Sequence, residues 1–277
     1  MTQKKKLQVS NGHYLEFDQL ARLIHTIANS DTNPKITMSF LEEETGLPFR
    51  QVRNRVSIGR SMGVFAEKSL TLTPFGLLVA EHDTFFESKG TLEYIHYLAA
   101  SDFKNLLWFE VFNTLLPSSV PLDNQGWLRY FRETLADQYT EHSLKDHLGK
   151  EVRFLIQAYT ENSFSKLEIL YKDSENRFCT RRYLEPTPLI FAAMFYDFSH
   201  KQSTNLLQVD ELHEMKGSPG KVFFLGREQL NIIIEQLHDL GYVRYERTHN
   251  LNQVRMKDDF SALIFLKSYY QGSDPNI

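Results

Sequence analysis

The sequence contains a single cysteine, Cys179, so no intrachain disulfide can form. It has no stretch of about 18 consecutive apolar residues that would suit a transmembrane helix, and its start, MTQKKKLQVSNGHYL, lacks the apolar segment of a signal peptide. It also lacks excess positive charge, with a formal net charge of −4 at pH 7 and an isoelectric point near 6.2. We therefore expect a cytoplasmic protein that contacts no membrane, and any contact with nucleic acid must come from a local cationic patch.

Motifs of the common enzyme classes are missing as well. The sequence has no GxxxxGK phosphate loop, no HExxH metal-binding helix, no GxSxG nucleophile elbow and no cysteine pair for zinc. The segment AEHDTFFE groups the carboxylates of Glu81, Asp83 and Glu87 with His82. The carboxylate oxygens would suit magnesium, but a solvated helix end is the simpler interpretation. The sequence predicts a protein that is not an enzyme, with no catalytic residue, no metal and no cofactor.

The sequence does contain enough apolar and aromatic residues for a folded core. Hydrophobic residues make up 42% of the chain, which includes 21 Phe and 13 Tyr, and this composition argues against disorder. A length of 277 residues exceeds that of a typical single domain. Breaks in the helical patterns predict three regions, at residues 1–84, 85–185 and 186–277.

Residues 1–84 have the element order of a winged helix-turn-helix unit. Apolar positions recur at helical spacing over 14–29, and ITMSFLEEETG predicts a second helix that is capped by Thr37 or Ser39 and ends at Gly46. A third helix is predicted over 49–62. The alternating segment VFAEKSLTLTPFG then predicts a small hairpin, followed by another helix.

Residues 85–185 are rich in aromatic residues at helical spacing and predict a helical middle region. In residues 186–277, three helical patterns are followed by YVRYERTHNLNQVRMK, which predicts a hairpin that turns at His249 and Asn250, and then by a final helix. SPGK is predicted to lie in a turn-rich loop. The predicted fold class is mainly α with small β-hairpin wings, in which two winged helix-turn-helix units flank the helical middle region.

The stretch LPFRQVRNRVSIGRSMGVF carries four arginines and no acid. At 100° per residue, one side of the third helix carries Val52 and Val56, and the other side carries Arg50, Arg53, Asn54, Ser57 and Arg60. In a helix-turn-helix the third helix enters the major groove, where Arg reads guanine and Asn reads adenine. The pattern predicts contact with duplex DNA. Alternatively, the arginines solvate an exposed helix and pair with Glu42, Glu43 and Glu44.

The second winged unit differs in charge. Its third helix carries Glu228, Glu235 and Asp239, a poor match to phosphate. In the hairpin that follows, Arg244 falls opposite Arg255 and Lys257 joins them, and like charges across a strand pair need an anion between them. Glu246 supplies that anion from within the protein, or a DNA phosphate supplies it from outside. The sequence leaves both open, and it favours the internal carboxylate.

Six segments of the sequence occur in the order and spacing of a known family: NGHYLEF, TPFG, GTLEYIHYLA, WFEVFN, SPGKVFFL and LNIIIEQLHDLGYV. The chain resembles a bacterial family of uncharacterised proteins encoded beside phosphoadenosine phosphosulfate reductase-like and DNA phosphorothioation genes, often within phage-defence islands. The resemblance implies a defence or DNA-modification context and no known activity. The sequence departs from the family after Gly12 and His13, where an acidic residue and then an Arg and a Trp are expected and Tyr14, Leu15 and Arg22 stand.

Two functional hypotheses follow. In the first, the chain is a non-enzymatic DNA-binding component of a DNA-modification or phage-defence system. In the second, it is an architectural adaptor whose winged helices bind partner proteins of such a system, for example a DNA-dependent ATPase or a modification enzyme. A homodimer is compatible with both hypotheses, because paired winged helices often dimerise.

Overall fold

A computed structural model of the chain describes residues 7, 17–30, 36–118, 120–249 and 251–276. The fold is mainly helical with small antiparallel sheets, as predicted. No helix in the described part of the chain combines the length and apolar character needed to cross a membrane. The chain divides into two compact units, Met1–Arg181 and Arg182–Ile277. The boundary predicted after residue 185 lies close to this division, and the one predicted after residue 84 falls inside the first unit.

The first unit contains nine α-helices in its described residues: α1 Phe17–Asn29, α2 Met38–Thr45, α3 Phe49–Ser61, α4 Pro74–His82, α5 Lys89–Ser101, α6 Leu106–Glu110, α7 Asn124–Leu135, α8 Glu141–Ser143 and α9 Gly149–Thr160. Two π-helical turns, Val111–Leu115 and Leu144–Leu148, continue α6 and α8, and 3₁₀ turns lie at Leu116–Ser118 and Ser163–Leu167. The strands β1 Leu170–Lys172 and β2 Phe178–Thr180 form an antiparallel pair.

The second unit contains the helices α10 Pro188–Lys201, α11 Val209–Glu214, α12 Pro219–Val222, α13 Arg227–Asp239 and α14 Ala262–Gln271. Its strands are β3 Leu206–Gln208, β4 Val243–Arg247 and β5 Asn252–Met256, which form an antiparallel sheet in the order β3-β5-β4. SPGK does not remain a loop, because Pro219 begins the short helix α12 and the Ser218 hydroxyl accepts the Lys221 N–H.

The ends of α2 are set by local sequence signals. The Thr37 hydroxyl accepts the backbone N–H of Phe40 at 3.1 Å, which selects Thr37 over Ser39 as the cap. At the other end Gly46 adopts φ 66° and ends the helix, as predicted. The part of the first predicted helix that precedes Phe17 lies outside the described residues.

The hairpin predicted after α3 is reduced to a single antiparallel bridge, between Phe65 and Leu72. The chain cannot extend the pairing beyond this point, because Pro74 begins α4 and the Thr73 hydroxyl caps it by accepting the Gly76 N–H at 2.9 Å. What remains between α3 and α4 is a tight connection, held by the hydrogen bond from the Thr73 N–H to the Val64 carbonyl at 3.0 Å.

The core of the first unit is an aromatic cluster around Tyr159. The Tyr159 ring stacks on Phe164 at 4.8 Å and lies 5.5 Å from Trp108, and all three side chains are buried. His96 is fully buried, and its Nδ1 lies 2.5 Å from the Tyr159 hydroxyl. Burial raises the pKa of Tyr159 well above its ordinary value, so the phenol stays neutral. These contacts give His96 a place in the packed interior.

The register of β4 and β5 follows the prediction. Val243 pairs with Met256, Arg244 with Arg255, and Tyr245 with Val254. Asn250, the second residue of the predicted turn, lies outside the described residues. The sequence did not predict β3, which pairs with the edge of β5 that faces away from β4.

Candidate nucleic-acid interface

Helix α3 packs its aliphatic side against α1 and α2. Val52 and Val56 are fully buried on that side. The turn between α2 and α3 is fixed by Glu42, whose Oε1 accepts the Phe49 N–H at the start of α3 at 2.9 Å. Glu42 thereby stabilises the positive end of the helix dipole and holds the orientation of α3.

The opposite side of α3 presents an open cationic strip, which we define as Arg50, Arg53 and Ser57. Both arginines are exposed, and Ser57 is half-buried. Among the described residues, no carboxylate lies within salt-bridge distance of Arg50 or Arg53, so the pairing with Glu42, Glu43 and Glu44 that the sequence allowed is not formed there. The strip presents two guanidiniums and a hydroxyl to solvent.

The strip is narrower than the face predicted from the sequence. Asn54 is only 3% exposed, and its Nδ2 makes no hydrogen bond within the described residues. Arg55, on the flank of the helix, is also 3% exposed and donates from Nε to Gln19 Oε1 at 3.0 Å. The base contact predicted for Asn54 needs an amide at the surface, and the structure places it in the interior.

Arg60 lies on the predicted face, but its guanidinium is occupied by the protein itself. Its Nε donates to the Ala66 carbonyl and an Nη donates to the Ser69 carbonyl, each at 3.2 Å. These bonds tie the end of α3 to the segment that follows it. The structure therefore gives Arg60 a role within the fold, which sequence periodicity cannot reveal.

The cations predicted on the β4–β5 hairpin are also bound within the protein. Glu246 Oε1 lies 3.1 Å from Arg244 Nε and 3.8 Å from Arg255 Nε, and Gln253 Nε2 donates to Glu246 Oε2 at 2.6 Å. The Lys257 ammonium donates to the Gly241 carbonyl. The anion between the two arginines is thus an internal carboxylate, the alternative that the sequence favoured.

This arrangement makes stability depend on pH. The hydrogen bond from Gln253 and the charges of Arg244 and Arg255 hold the pKa of Glu246 below its ordinary value. A depressed pKa contributes stability that is present above the unfolded-state pKa and is lost as pH falls through the folded-state pKa. We expect Glu246→Gln to lower the melting temperature at pH 7, and the difference from wild type should be smaller at about pH 4, below the unfolded-state pKa of glutamate. Thermal unfolding at the two pH values measures this.

The control for that experiment is Glu228→Gln on α13. Glu228 is exposed, and no cation of the described residues lies within salt-bridge distance of it. The control should change the melting temperature little at either pH. A loss for Glu246→Gln that is the same at both pH values would contradict an ionic origin.

Helix α13 shows a different surface from α3. Glu228, Glu235 and Asp239 are exposed, and Ile232 lies among them with 48% of its surface exposed. Arg227 is bound to Asp210 at 2.8 Å. Glu235 lies 3.6 Å from Arg247 of β4, whereas no cation of the described residues lies within salt-bridge distance of Glu228 or Asp239. The polar side of α13 therefore keeps an acidic character and is a poor match to phosphate.

The acidic segment at the end of α4 forms local structure. Both carboxylate oxygens of Asp83 accept backbone N–H groups, from Glu87 at 2.8 Å and from Ser88 at 3.1 Å. Within the described ranges of the chain, no group of three or more His, Cys, Asp or Glu side chains is arranged to hold a metal ion. Asp83 organises the turn into α5.

Comparison with known proteins identifies a family and a fold. Residues 59–270 match the family described as "Protein of unknown function (DUF4007)". A magnesium ion-bound crystal structure of SspB superposes with a TM-score of 0.74 at 13% identity and covers 94% of this chain and 86% of that chain. Another SspB crystal structure gives a TM-score of 0.69 at the same identity and coverage. No curated protein matches the sequence. At this identity the likeness shows a shared fold.

Proposed function

This chain belongs to the DUF4007 family of proteins of unknown function, and we propose that it is a non-enzymatic DNA-binding component of a bacterial DNA-modification or phage-defence system. In this proposal α1–α4 act as a winged helix-turn-helix unit, and α3 contacts duplex DNA. The protein works in the cytoplasm. The system is suggested by the gene neighbourhood of the family that the sequence resembles.

The observation that carries the proposal is the open cationic strip. Unpaired guanidiniums on an exposed helix are the groups that phosphate and guanine bind. Because Arg50 and Arg53 have no carboxylate partner among the described residues, binding DNA does not require breaking an internal ion pair. Arg50, Arg53 and Ser57 are the proposed contacts. Arg244, Arg255 and Lys257 are not, because the two arginines share the internal carboxylate of Glu246 and the Lys257 ammonium donates to the Gly241 carbonyl.

The proposal is tested by the salt dependence of duplex binding. Affinity for a labelled duplex should fall steeply between about 50 and 200 mM salt, since bound counterions are released from each neutralised phosphate. Removing two contacts with Arg50→Ala and Arg53→Ala should weaken binding and make the slope of log affinity against log salt shallower by roughly 0.9 per phosphate contact. Fluorescence anisotropy at several salt concentrations gives both quantities.

The matched control is Arg129→Ala with Arg132→Ala on α7. Both arginines are exposed, and no carboxylate of the described residues lies within salt-bridge distance of them. The control removes the same charge elsewhere in the first unit and should leave affinity and slope nearly unchanged. Wild-type protein that fails to bind duplex DNA, or binds it without salt dependence, would refute the proposal.

A second candidate function rests on the second unit. The acidic side of α13 with exposed Ile232, together with the internally bound hairpin cations, suits a protein partner better than DNA. As an adaptor, the chain would bind a partner protein of the same system through this unit. The two functions are compatible, since they use different units. If the wild-type protein does not bind DNA, the adaptor function is the candidate that remains.

A further inference from the structure

The turn at residues 66–70, between α3 and α4, projects polar side chains beside the end of the cationic strip. Glu67, Lys68 and Ser69 are exposed. The turn is closed by the hydrogen bond from the Ala66 N–H to the Thr71 carbonyl at 2.9 Å, and the Ser69 and Thr71 hydroxyls lie 2.7 Å apart. The backbone of the turn is therefore fixed.

Arg60 fastens this turn to α3. The Arg60 guanidinium donates to two carbonyls, those of Ala66 and Ser69. They lie on either side of Glu67 and Lys68, which we call the tip of the turn. Since Arg60 lies in the last turn of α3, the position of the tip is coupled to the helix that carries Arg50 and Arg53. These bonds use two of the five donors of the planar guanidinium, so the turn is held at two points.

The charge at the tip is set by a second contact. The Lys104 ammonium lies 2.7 Å from Glu67 Oε1. That hydrogen bond raises the pKa of Lys104, so Lys104 stays protonated and its charge compensates the Glu67 carboxylate beside it. The loop that carries Lys104 is held on α3 by Asn105, whose amide donates to the Ser61 carbonyl at 3.4 Å and to the Ala99 carbonyl at 3.2 Å.

With Glu67 compensated by Lys104, the turn carries the positive charges of Lys68 and of the Arg60 guanidinium, whose two hydrogen-bond acceptors are neutral carbonyls. Lys68 is exposed, and none of the described carboxylates lies within salt-bridge distance of it. The tip is thus a cationic point on a rigid backbone. Rigid placement favours binding, because less side-chain and loop entropy is lost when a ligand is bound.

The length of α3 can be compared with the width of the DNA major groove. Ten residues separate Arg50 from Arg60, about 15 Å along the helix axis at 1.5 Å per residue, and the major groove is about 12 Å wide. In a helix-turn-helix the N-terminal residues of the recognition helix contact the base edges, so with Arg50 in the groove the far end of α3, at Arg60, would lie at its border. The phosphates of the duplex backbone line that border.

We propose that Lys68 binds a backbone phosphate of the same duplex that α3 contacts, and that Arg60 and Lys104 are positioning residues for it. Arg60 fixes the tip through its two carbonyl bonds, and Lys104 cancels the charge of Glu67 beside Lys68. This inference rests on the proposed DNA binding by α3. It adds a contact outside the helix, and it assigns Arg60 to the turn instead of the DNA.

Lys68→Ala tests the contact itself. Affinity for duplex DNA should fall roughly threefold to tenfold, as for the loss of one charge-assisted contact, and the salt slope should become shallower by about 0.9. Arg60→Met should weaken binding by a similar factor. The double variant should bind no more weakly than either single variant, because both substitutions remove the same contact. Additive losses, with a further reduction in slope, would show that Arg60 binds DNA directly and would overturn its positioning role.

The Glu67–Lys104 pair provides a rescue experiment. Lys104→Met removes the ammonium that lies 2.7 Å from Glu67 Oε1 and should weaken binding. Adding Glu67→Gln removes the carboxylate charge and should return affinity and salt slope to wild-type values. Failure of the second substitution to restore binding would contradict the role given to Lys104. Thermal unfolding of each variant verifies that the first unit stays folded.

The outcomes separate this inference from the proposed function. If wild-type protein binds DNA and the Arg50 and Arg53 variants weaken it, but Lys68→Ala has wild-type affinity and slope, the phosphate contact at the tip is refuted and α3 binding stands. If wild-type protein shows no salt-dependent binding, the proposed function itself fails.

Discussion

Reversing the charge of the open strip with Arg50→Glu and Arg53→Glu is expected to lower the affinity for duplex DNA by about a thousandfold or more at low salt. The change removes two attractive contacts and places two carboxylates against the phosphate backbone, and like-charge contacts at an interface cost several kcal/mol. A loss of about 4 kcal/mol corresponds to a factor of about a thousand. Anisotropy titration of the variant and of wild-type protein at the lowest practical salt measures the difference.

The reversal should leave the fold intact. Arg50 and Arg53 are exposed and have no internal ion pair among the described residues, and surface substitutions of this kind usually change stability by less than about 0.5 kcal/mol. Circular dichroism and thermal unfolding check this. The same reversal on α7, Arg129→Glu with Arg132→Glu, separates a local contact from an effect of net charge. Equal loss in both double variants would argue against α3 as the site.

Gly76→Ala is expected to destabilise the first unit by about 1–3 kcal/mol, the usual cost of forcing a methyl group into a packed site. A Cβ built on Gly76 would lie 2.2 Å from the Val64 carbonyl oxygen. Since the obstacle is backbone, α4 must move away from the segment after α3 to accept the methyl group. That movement strains the bridge between Phe65 and Leu72, so the 66–70 turn should also lose its fixed position. Urea unfolding measures the loss of stability.

Gly149→Ala is the matched control. Gly149 begins α9, and a Cβ there would meet nothing within 4 Å. Because alanine has a higher helix propensity than glycine, this substitution should stabilise the protein by about 0.5–1 kcal/mol. The same substitution is therefore expected to lower the free energy of unfolding at Gly76 and to raise it at Gly149. A similar effect of both substitutions would contradict the close approach of α4 to Val64.

Much of the local structure was predictable because its causes are local. Thr37 and Gly46 mark the ends of α2 through hydrogen bonds and backbone angles within a few residues. The pairing of Arg244 with Arg255 follows from the alternation of β4 and β5 around a short turn. The sequence did not predict β3, a three-residue strand that pairs with a segment distant in the chain. Nor did it predict that the hairpin after α3 is limited to one bridge.

The candidate site was predicted in part. Periodicity assigned Arg50, Arg53, Asn54, Ser57 and Arg60 to one face of α3, and it correctly assigned Val52 and Val56 to the buried face. It could not show that Asn54 is buried or that Arg60 bonds the turn at 66–70. The sequence pattern did not predict Lys68 or Lys104 as part of the site, because the contact between Lys104 and Glu67 joins residues far apart in the chain.

The sequence by itself determined the helical character of the protein, the amphipathic pattern of α3 and the register of the C-terminal hairpin. Each of these depends on side-chain period and on hydrogen bonds between near neighbours in the chain. Only the tertiary structure decided which arginine side chains remain available to contact a ligand. Glu246 binds Arg244 and Arg255, and the carbonyls of the 66–70 turn bind Arg60, whereas Arg50 and Arg53 are exposed without a described carboxylate partner. The strength of a charge contact depends on distance and burial in the folded protein, and a one-dimensional pattern contains neither.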